Sequence, residues 1–133
     1  MLYLVYKMAI VNKVDFKKQV TIKDTIAYQI LSYCFFNGVH ISSTDLKLLT
    51  ELAKQSGIEL TKFCIYLTDN NIFKSNQSAR NAVTKAEKKG LIIKNGVNKK
   101  TINLNTDMNV QVEGIVLLDY KILGRETQEP QTI

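Results

Sequence analysis

One capped helix with a hairpin behind it constrains the fold of this chain more than any other feature of its sequence. Ser75 or Asn76 is placed to cap a helix that runs to about Lys89, and Gly90 ends it. The apolar positions of this helix carry only small side chains, which lets it lie close to its scaffold while the opposite face stays polar. The apolar positions are Ala79, Ala82, Val83 and Ala86, and the polar ones are Gln77, Arg80, Asn81, Thr84, Lys85 and Lys88.

A β-hairpin is predicted directly after this helix. Leu91–Ile93 has the apolar, β-branched character of a strand, and the pair Asn95-Gly96 is a strong signal for a hairpin turn. The returning strand, Lys100–Asn105, carries apolar residues in alternation at Ile102 and Leu104. The order of elements is therefore a capped helix, a strand, a turn and a strand.

Three more helices are predicted upstream. The first spans Thr21–Asn37 and is followed by Gly38, the second begins at a cap formed by Ser42 and Asp45, and the third covers residues 60–67. The apolar residues recur at the three-and-four spacing of buried helix faces. These faces consist of Ile22, Ile26, Ala27, Ile30, Leu31 and Cys34, then of Leu46, Leu49, Leu52 and Ala53, and then of Leu60, Phe63, Cys64 and Leu67.

The two ends of the chain have the pattern of β-strands. Residues 2–11 alternate loosely and are apolar on both sides, which predicts a strand or an arm that needs cover on both faces. Residues 109–123 are also strand-like, with a bend or bulge at Glu113-Gly114. The polar residues from 125 onward are predicted to form a mobile tail. Because both ends are apolar, self-association through residues 1–11 and 109–123 is a hypothesis.

The positive charge of the chain is confined to one segment. The net charge is +6, and the segment from Lys74 to Lys100 holds eight basic residues and one acid, Glu87, a balance of +7. The other ten basic and eleven acidic residues leave the remainder at −1. A lysine-rich surface often serves solubility alone, but here the charge coincides with a helix bearing Gln, Arg, Asn and Thr side chains. The segment is therefore predicted to attract the phosphates of nucleic acid in a salt-dependent way.

Several other classes of protein are disfavoured. There is no apolar run of membrane-spanning length and no pattern of a signal peptide, so we expect no membrane association. Cys34 and Cys64 are expected to be buried free thiols, and with His40 as the single histidine no metal site or cofactor is predicted. No nucleophile with its base, no phosphate-cradling glycine loop and no small-molecule site is evident, so we do not expect an enzyme.

Residues 75–92 resemble the recognition helix of winged helix-turn-helix proteins, including the lysine, lysine, glycine, leucine, isoleucine ending that leads into the wing. The resemblance covers Ser42–Asn105. Within the family, the sequence is most similar in style to phage and plasmid regulators and replication initiators. It implies an α+β fold, with a winged helix-turn-helix core and strand-like extensions at both ends. The implied organisation is an N-terminal arm over residues 1–20, a winged-helix domain over 21–105, and a C-terminal strand and tail over 106–133.

The resemblance also implies how double-stranded DNA would be bound. The recognition helix enters the major groove, and the wing, Ile92–Leu104, lies along the backbone or the minor groove. The candidate base-reading residues are Gln77, Arg80, Asn81 and Thr84. The candidate phosphate contacts are Lys74, Lys85, Lys88, Lys99 and Lys100, and Ser75 and Lys94 complete the candidate set.

Two hypotheses for function follow from these observations. The first is a small non-enzymatic DNA-binding protein, a regulator or replication accessory factor, in the cytoplasm of a bacterium or an infected host cell. The alternative is a structural protein of a phage virion or another assembly, which would use the winged helix and its terminal arms for protein contacts.

Overall fold

The computed structural model of the protein describes residues 10–13, 21–114 and 119–122. Val20–Gly114 forms one compact unit, and the two described terminal strands belong to a second. In the second unit β1 (Ile10–Lys13) pairs antiparallel with the last strand, Asp119–Ile122. β1 therefore covers the end of the strand predicted over residues 2–11 and continues to Lys13, while most of that predicted strand and the predicted tail lie outside the described residues.

The first helix of the larger unit, α1 (Ile22–Phe36), begins where its sequence predicts. The Thr21 side chain accepts a hydrogen bond from the Asp24 amide, and Gly38 adopts a positive φ of 67° beyond the C-terminus. Of the residues predicted to face the core, Ile26, Ile30 and Cys34 are buried. The prediction is wrong for Ile22 and Leu31, which are 40% and 47% exposed.

The reason for the exposure of Leu31 is geometric. One residue advances a helix by about 100°, so Leu31 lies well around the helix from the buried Ile30. The principal helical neighbour of α1 is α2 (Ser43–Lys54), and one such contact covers only a narrow stripe. The apolar surface of α1 is wider than that stripe.

The next two helices follow their predicted boundaries closely. The N-terminus of α2 is held by a reciprocal capping box, in which the Ser42 side chain and the Asp45 side chain each bond the other residue's amide. A two-residue strand, β2 (Ile58–Glu59), precedes α3 (Leu60–Asp69). Of the predicted inner residues of α3, Phe63, Cys64 and Leu67 are buried, and Leu60 is partly buried.

The capped helix and the hairpin are both present. α4 (Asn76–Lys88) is followed by β3 (Ile92–Asn95) and β4 (Thr101–Leu104), with Asn95 opposite Thr101. The connection between the strands is Gly96–Lys100, which contains a short 3₁₀ turn, so the tight turn predicted at Asn95-Gly96 is wrong. Asn95 and Thr101 form the last pair of the hairpin, and the five residues between them, Gly96–Lys100, form the connection.

The topology of these elements is that of a winged helix. The strands form one antiparallel sheet in the order β2-β4-β3, so the short strand between α2 and α3 lies against the hairpin. Helices α2, α3 and α4 pack over a shared core that includes Leu49, Phe63 and Val83, all fully buried. The predicted α+β winged-helix fold is confirmed. No helix in the described part of the chain has the length and apolar character needed to cross a lipid bilayer.

The compact unit continues past Asn105 to Gly114. Met108, in a 3₁₀ turn after the hairpin, is 7% exposed and belongs to the core. Further along, the Gln111 amide donates to Gln29 Oε1 at 2.7 Å, and Gln29 Nε2 donates to the Gln111 carbonyl at 2.8 Å. Residues 109–114 contain no strand, although a strand was predicted from 109, because these contacts hold them against α1 as irregular chain.

A buried acid ties three helices together. Glu51 of α2 is 5% exposed and accepts a hydrogen bond from the Tyr66 hydroxyl of α3 at 2.7 Å. Its other carboxylate oxygen lies 3.3 Å from Lys54 Nζ and 3.8 Å from Lys23 Nζ of α1. Burial alone would raise the pKa of Glu51, but these hydrogen bonds and charges outweigh it and hold the pKa below the ordinary value.

This arrangement predicts a stability that falls in acid. A carboxyl whose pKa is lowered by folding stabilises the protein above its unfolded pKa, and the contribution is lost as pH falls through the folded pKa. Removing the hydroxyl in Tyr66→Phe is expected to lower the free energy of unfolding by about 1.5–3 kcal/mol at pH 7, since the hydrogen bond goes to a charged group. At pH 3 the difference between the two proteins should be smaller. Urea denaturation at both pH values measures it.

Tyr33→Phe is the matched control, because the half-buried Tyr33 on α1 lies outside the Glu51 network. It should change the free energy of unfolding little at either pH. An equal loss in Tyr66→Phe at both pH values would show that the Glu51 charge contributes nothing to the interaction.

Candidate nucleic-acid interface

Small side chains hold α4 close to the body of the domain. Ala79 and Val83 are fully buried and Ala86 is 6% exposed, and they follow one another at helical spacing along the face turned to α3 and β3. The N-terminus is fixed by a capping box in which Ser75 and Ser78 bond each other's amides. The buried face and the cap together fix the direction of the helix and leave its other face free for a ligand.

That free face carries a row of polar and basic side chains. Gln77, Asn81, Lys85 and Lys88 lie at intervals of four, four and three residues, so they share one side of the helix, and all four are exposed. Gln77 Nε2 donates to Asn81 Oδ1 at 2.8 Å. We call these four residues the α4 row. Two amides and two cations on one straight surface are suited to hydrogen-bond bases and to neutralise phosphates.

The other two candidate base readers are turned toward the protein. Arg80 is half-buried, and its guanidinium donates to Thr61 Oγ1 at 3.3 Å. The Thr84 hydroxyl donates to the Arg80 carbonyl at 3.1 Å, a bond within the helix itself. Both side chains lie on the flank of α4 and bond groups of the domain itself, whereas Gln77 and Asn81 bond each other on the exposed face.

Of the two candidate residues at the N-terminus of α4, one is exposed and the other is engaged as the helix cap. Lys74 is exposed just before the helix. The Ser75 hydroxyl accepts the Ser78 amide at 3.1 Å and is therefore engaged as the helix cap. Ser75 contributes to the position of the helix, whereas Lys74 is available at the surface.

The one acid in the basic segment is neutralised by a lysine of that segment. Lys94 Nζ on β3 lies 3.2 Å from Glu87 Oε1 on α4, and both side chains are partly buried. Lys94 was predicted as a nucleic-acid contact, but it lies on the strand and its side chain points back to the helix. Glu87, the only acid between Lys74 and Lys100, is therefore engaged by Lys94.

The wing tip has a backbone that only certain residues tolerate. Gly96 has φ 83° and ψ −171°, a conformation essentially restricted to glycine, and a Cβ there would meet Thr101 Oγ1 at 2.6 Å. Asn98 and Lys99 also have positive φ values, 58° and 54°. This turn exposes Lys99 and Lys100 to solvent.

A cleft joins the wing to the two helices of the helix-turn-helix. It has a volume of about 310 Å³ and brings Arg80 of α4 together with Lys99 and Lys100 of the wing. The cleft is also lined by Glu59, Leu60, Thr61 and Asn98. Thr61 and Asn98 were not among the predicted site residues. Thr61 joins this surface only when α3 packs against α4 and β2 pairs with β4, whereas Asn98 lies in the wing connection beside the predicted Lys99.

The two cysteines and Lys89 lie outside this interface. Cys34 and Cys64 are free and buried, as predicted, and burial raises the pKa of both thiols. Lys89, at the end of α4, donates from Nζ to the His40 carbonyl at 2.5 Å. Among residues 10–13, 21–114 and 119–122 there is no group of three or more His, Cys, Asp or Glu side chains placed to hold a metal ion.

Comparisons with known proteins add little to this geometry. No family model matches the chain, and no curated protein matches it. A solved structure of the ferric uptake regulator Fur of Helicobacter pylori, described as having three functional metal-binding sites, is similar with a TM-score of 0.45. The identity is 12%, over 87% of this chain and 80% of that one. At this TM-score and identity we draw neither fold nor function from the likeness.

Proposed function

We propose that the protein binds double-stranded DNA through α4 and the wing and acts as a small regulator or replication accessory factor. The observation that carries the proposal is the α4 row, in which two amides and two lysines share the exposed face of a helix held down by small residues. The excess positive charge of the chain lies in the same segment.

The dimensions and the side chains of α4 suit the major groove. An α-helix with its side chains is about 10–12 Å across, close to the roughly 12 Å width of that groove in B-DNA. Glutamine and asparagine pair in bidentate fashion with adenine at N6 and N7. Gln77 and Asn81, already hydrogen-bonded to each other, are oriented before binding and lose little freedom when they meet a base. We infer that they read sequence.

The exposed lysines supply the phosphate contacts. Five of the candidate lysines are exposed and lie on α4, just before it, or on the wing: Lys74, Lys85, Lys88, Lys99 and Lys100. Each contact that neutralises a phosphate adds about −0.9 to the slope of log affinity against log salt concentration. Five contacts therefore predict a slope of about −4.5 for one copy of the protein.

The test is a fluorescence anisotropy titration of a labelled duplex between 50 and 200 mM salt, followed by selection from a random duplex library. We expect binding with a slope of about −4 to −5, together with enrichment of particular sequences at the positions that Gln77 and Asn81 reach. No binding at 50 mM salt would overturn the proposal. Binding with no enriched sequence would indicate a packaging or architectural protein and would overturn the proposed role in regulation.

A further inference from the structure

One face of α1 is apolar and exposed to solvent. Tyr28, Leu31 and Phe35 recur at intervals of three and four residues and are 47%, 47% and 78% exposed. Phe36 is 82% exposed beside them, with its ring 5.4 Å from that of Phe35 in an edge-to-face arrangement. Of the eight large apolar side chains exposed in the described residues, five lie on this helix. We call Tyr28, Leu31, Phe35 and Phe36 the α1 patch.

We propose that the α1 patch is the surface through which two copies of this chain associate, with the two α1 helices antiparallel. Contiguous exposed apolar patches of a few hundred Å² are often functional. None of the four side chains of the patch is charged, so the patch itself offers nothing to the phosphates of nucleic acid. An apolar helical face without charges along its centre is complementary to a second copy of itself in a twofold interface.

The area available agrees with a weak, specific dimer. The exposed parts of the four side chains present roughly 500 Å² on each copy, using typical areas for aromatic and leucine side chains. A twofold pair would then bury roughly 1,000 Å² in total, which is at the lower limit for a specific interface. We therefore expect a weak dimer whose formation depends on the concentration of the protein.

A groove beside the α1 patch supports association through this patch. A groove of about 390 Å³ runs along α1 and is lined by Leu31, Cys34, Phe35, Val39 and Ile41, among others. An aromatic ring from a second copy would find apolar walls in this groove. A flat patch would offer less close packing per unit of area.

Charge at the two ends of the patch favours the antiparallel sense. Asp24 lies four residues before Tyr28, in the same row of α1, at the N-terminal end. Lys89 lies near the other end, since its Nζ donates to the carbonyl of His40, just beyond the helix. In an antiparallel pair, Asp24 of each copy approaches the end at which Lys89 of the other lies. In a parallel pair, like charges would meet.

The experiment measures molecular mass by sedimentation from about 1 to 500 µM, without DNA, for the wild type and for Phe35→Glu. We expect the wild type to pass from monomer to dimer and Phe35→Glu to weaken the dimer at least a hundredfold. Ile65→Glu is the matched control, because Ile65 is 43% exposed on α3, and it should leave the dimer unchanged. A charge exchange tests the orientation: Asp24→Lys or Lys89→Asp alone should weaken the dimer, and the two together should restore it.

The proposal has clear contrary results. A wild type that stays monomeric at 500 µM would overturn it and point to another segment of the chain as the cover of the patch. A dimer that Phe35→Glu leaves intact would assign association to the terminal segments instead. Failure of the charge exchange to restore the dimer would overturn the antiparallel arrangement. None of these results depends on whether the protein binds DNA.

Discussion

Exchanging both Lys85 and Lys88 for alanine is expected to weaken binding to duplex DNA roughly fiftyfold at 0.1 M salt, because two phosphate contacts are lost. Both lysines are exposed in the α4 row and belong to a helix whose inner face is buried. Removing the amines there takes away charge without disturbing the core. The slope of log affinity against log salt concentration should become less negative by about 2. Anisotropy titrations at three or more salt concentrations measure both quantities.

The control for this prediction removes the same charge elsewhere. Lys23 and Lys47 are exposed on α1 and α2, outside the basic segment. The double variant Lys23→Ala with Lys47→Ala has the same net charge as the first variant, so it should keep nearly the wild-type slope. Equal losses in the two double variants would mean that DNA responds only to overall charge, and the assignment of α4 as the interface would be wrong.

Replacing Phe63 by alanine is expected to lower the free energy of unfolding by about 3–5 kcal/mol. Phe63 is completely buried, and its ring is stacked on that of Tyr66 with the centroids 6.4 Å apart. It lies in the core shared by α2, α3 and α4, so the cavity left by the ring has little freedom to collapse. Because small domains have only about 5–15 kcal/mol of stability, the loss would be a large part of the total. Urea denaturation at pH 7 measures it.

Ile65→Ala in the same helix separates burial from helix propensity. Ile65 is 43% exposed, so its truncation should cost less than about 1 kcal/mol. If both variants lost the same stability, the packing of α3 described above would be incorrect. If Phe63→Ala kept its fold, it should also keep the salt slope, since Phe63 touches no surface of the α4 row.

Local features of the fold are readable in the sequence because their causes are local. The cap made by Ser42 and Asp45 and the positive φ of Gly38 and Gly90 depend only on residues a few positions away. The buried side of α3 follows from helical periodicity for the same reason. β2 escaped prediction because two residues carry no periodic pattern, and its pairing partner, β4, lies more than forty residues along the chain.

Some features of the candidate interface are likewise predictable from the sequence, and others depend on tertiary contacts. The charge of segment 74–100 and the exposure of the α4 row follow from composition and from a helix with one apolar side. The partners of Arg80 and Lys94 do not, because Thr61 reaches Arg80 only through the packing of α3 on α4, and Glu87 reaches Lys94 only through the turn at Gly90. The tertiary structure therefore separates the candidate residues that are exposed from those that are bonded to the domain itself.

The capped helix and hairpin that constrain the fold were determined by the sequence itself, since caps, breakers and periodicity act over one or two turns of chain. The tertiary structure alone decided that Arg80 meets Thr61, that β2 pairs with β4, and which side of α1 stays exposed. These properties depend on groups that are distant in sequence and meet only in the folded protein. Leu31 shows the difference most clearly: its spacing is that of a core residue, and its exposure results from the elements packed around α1.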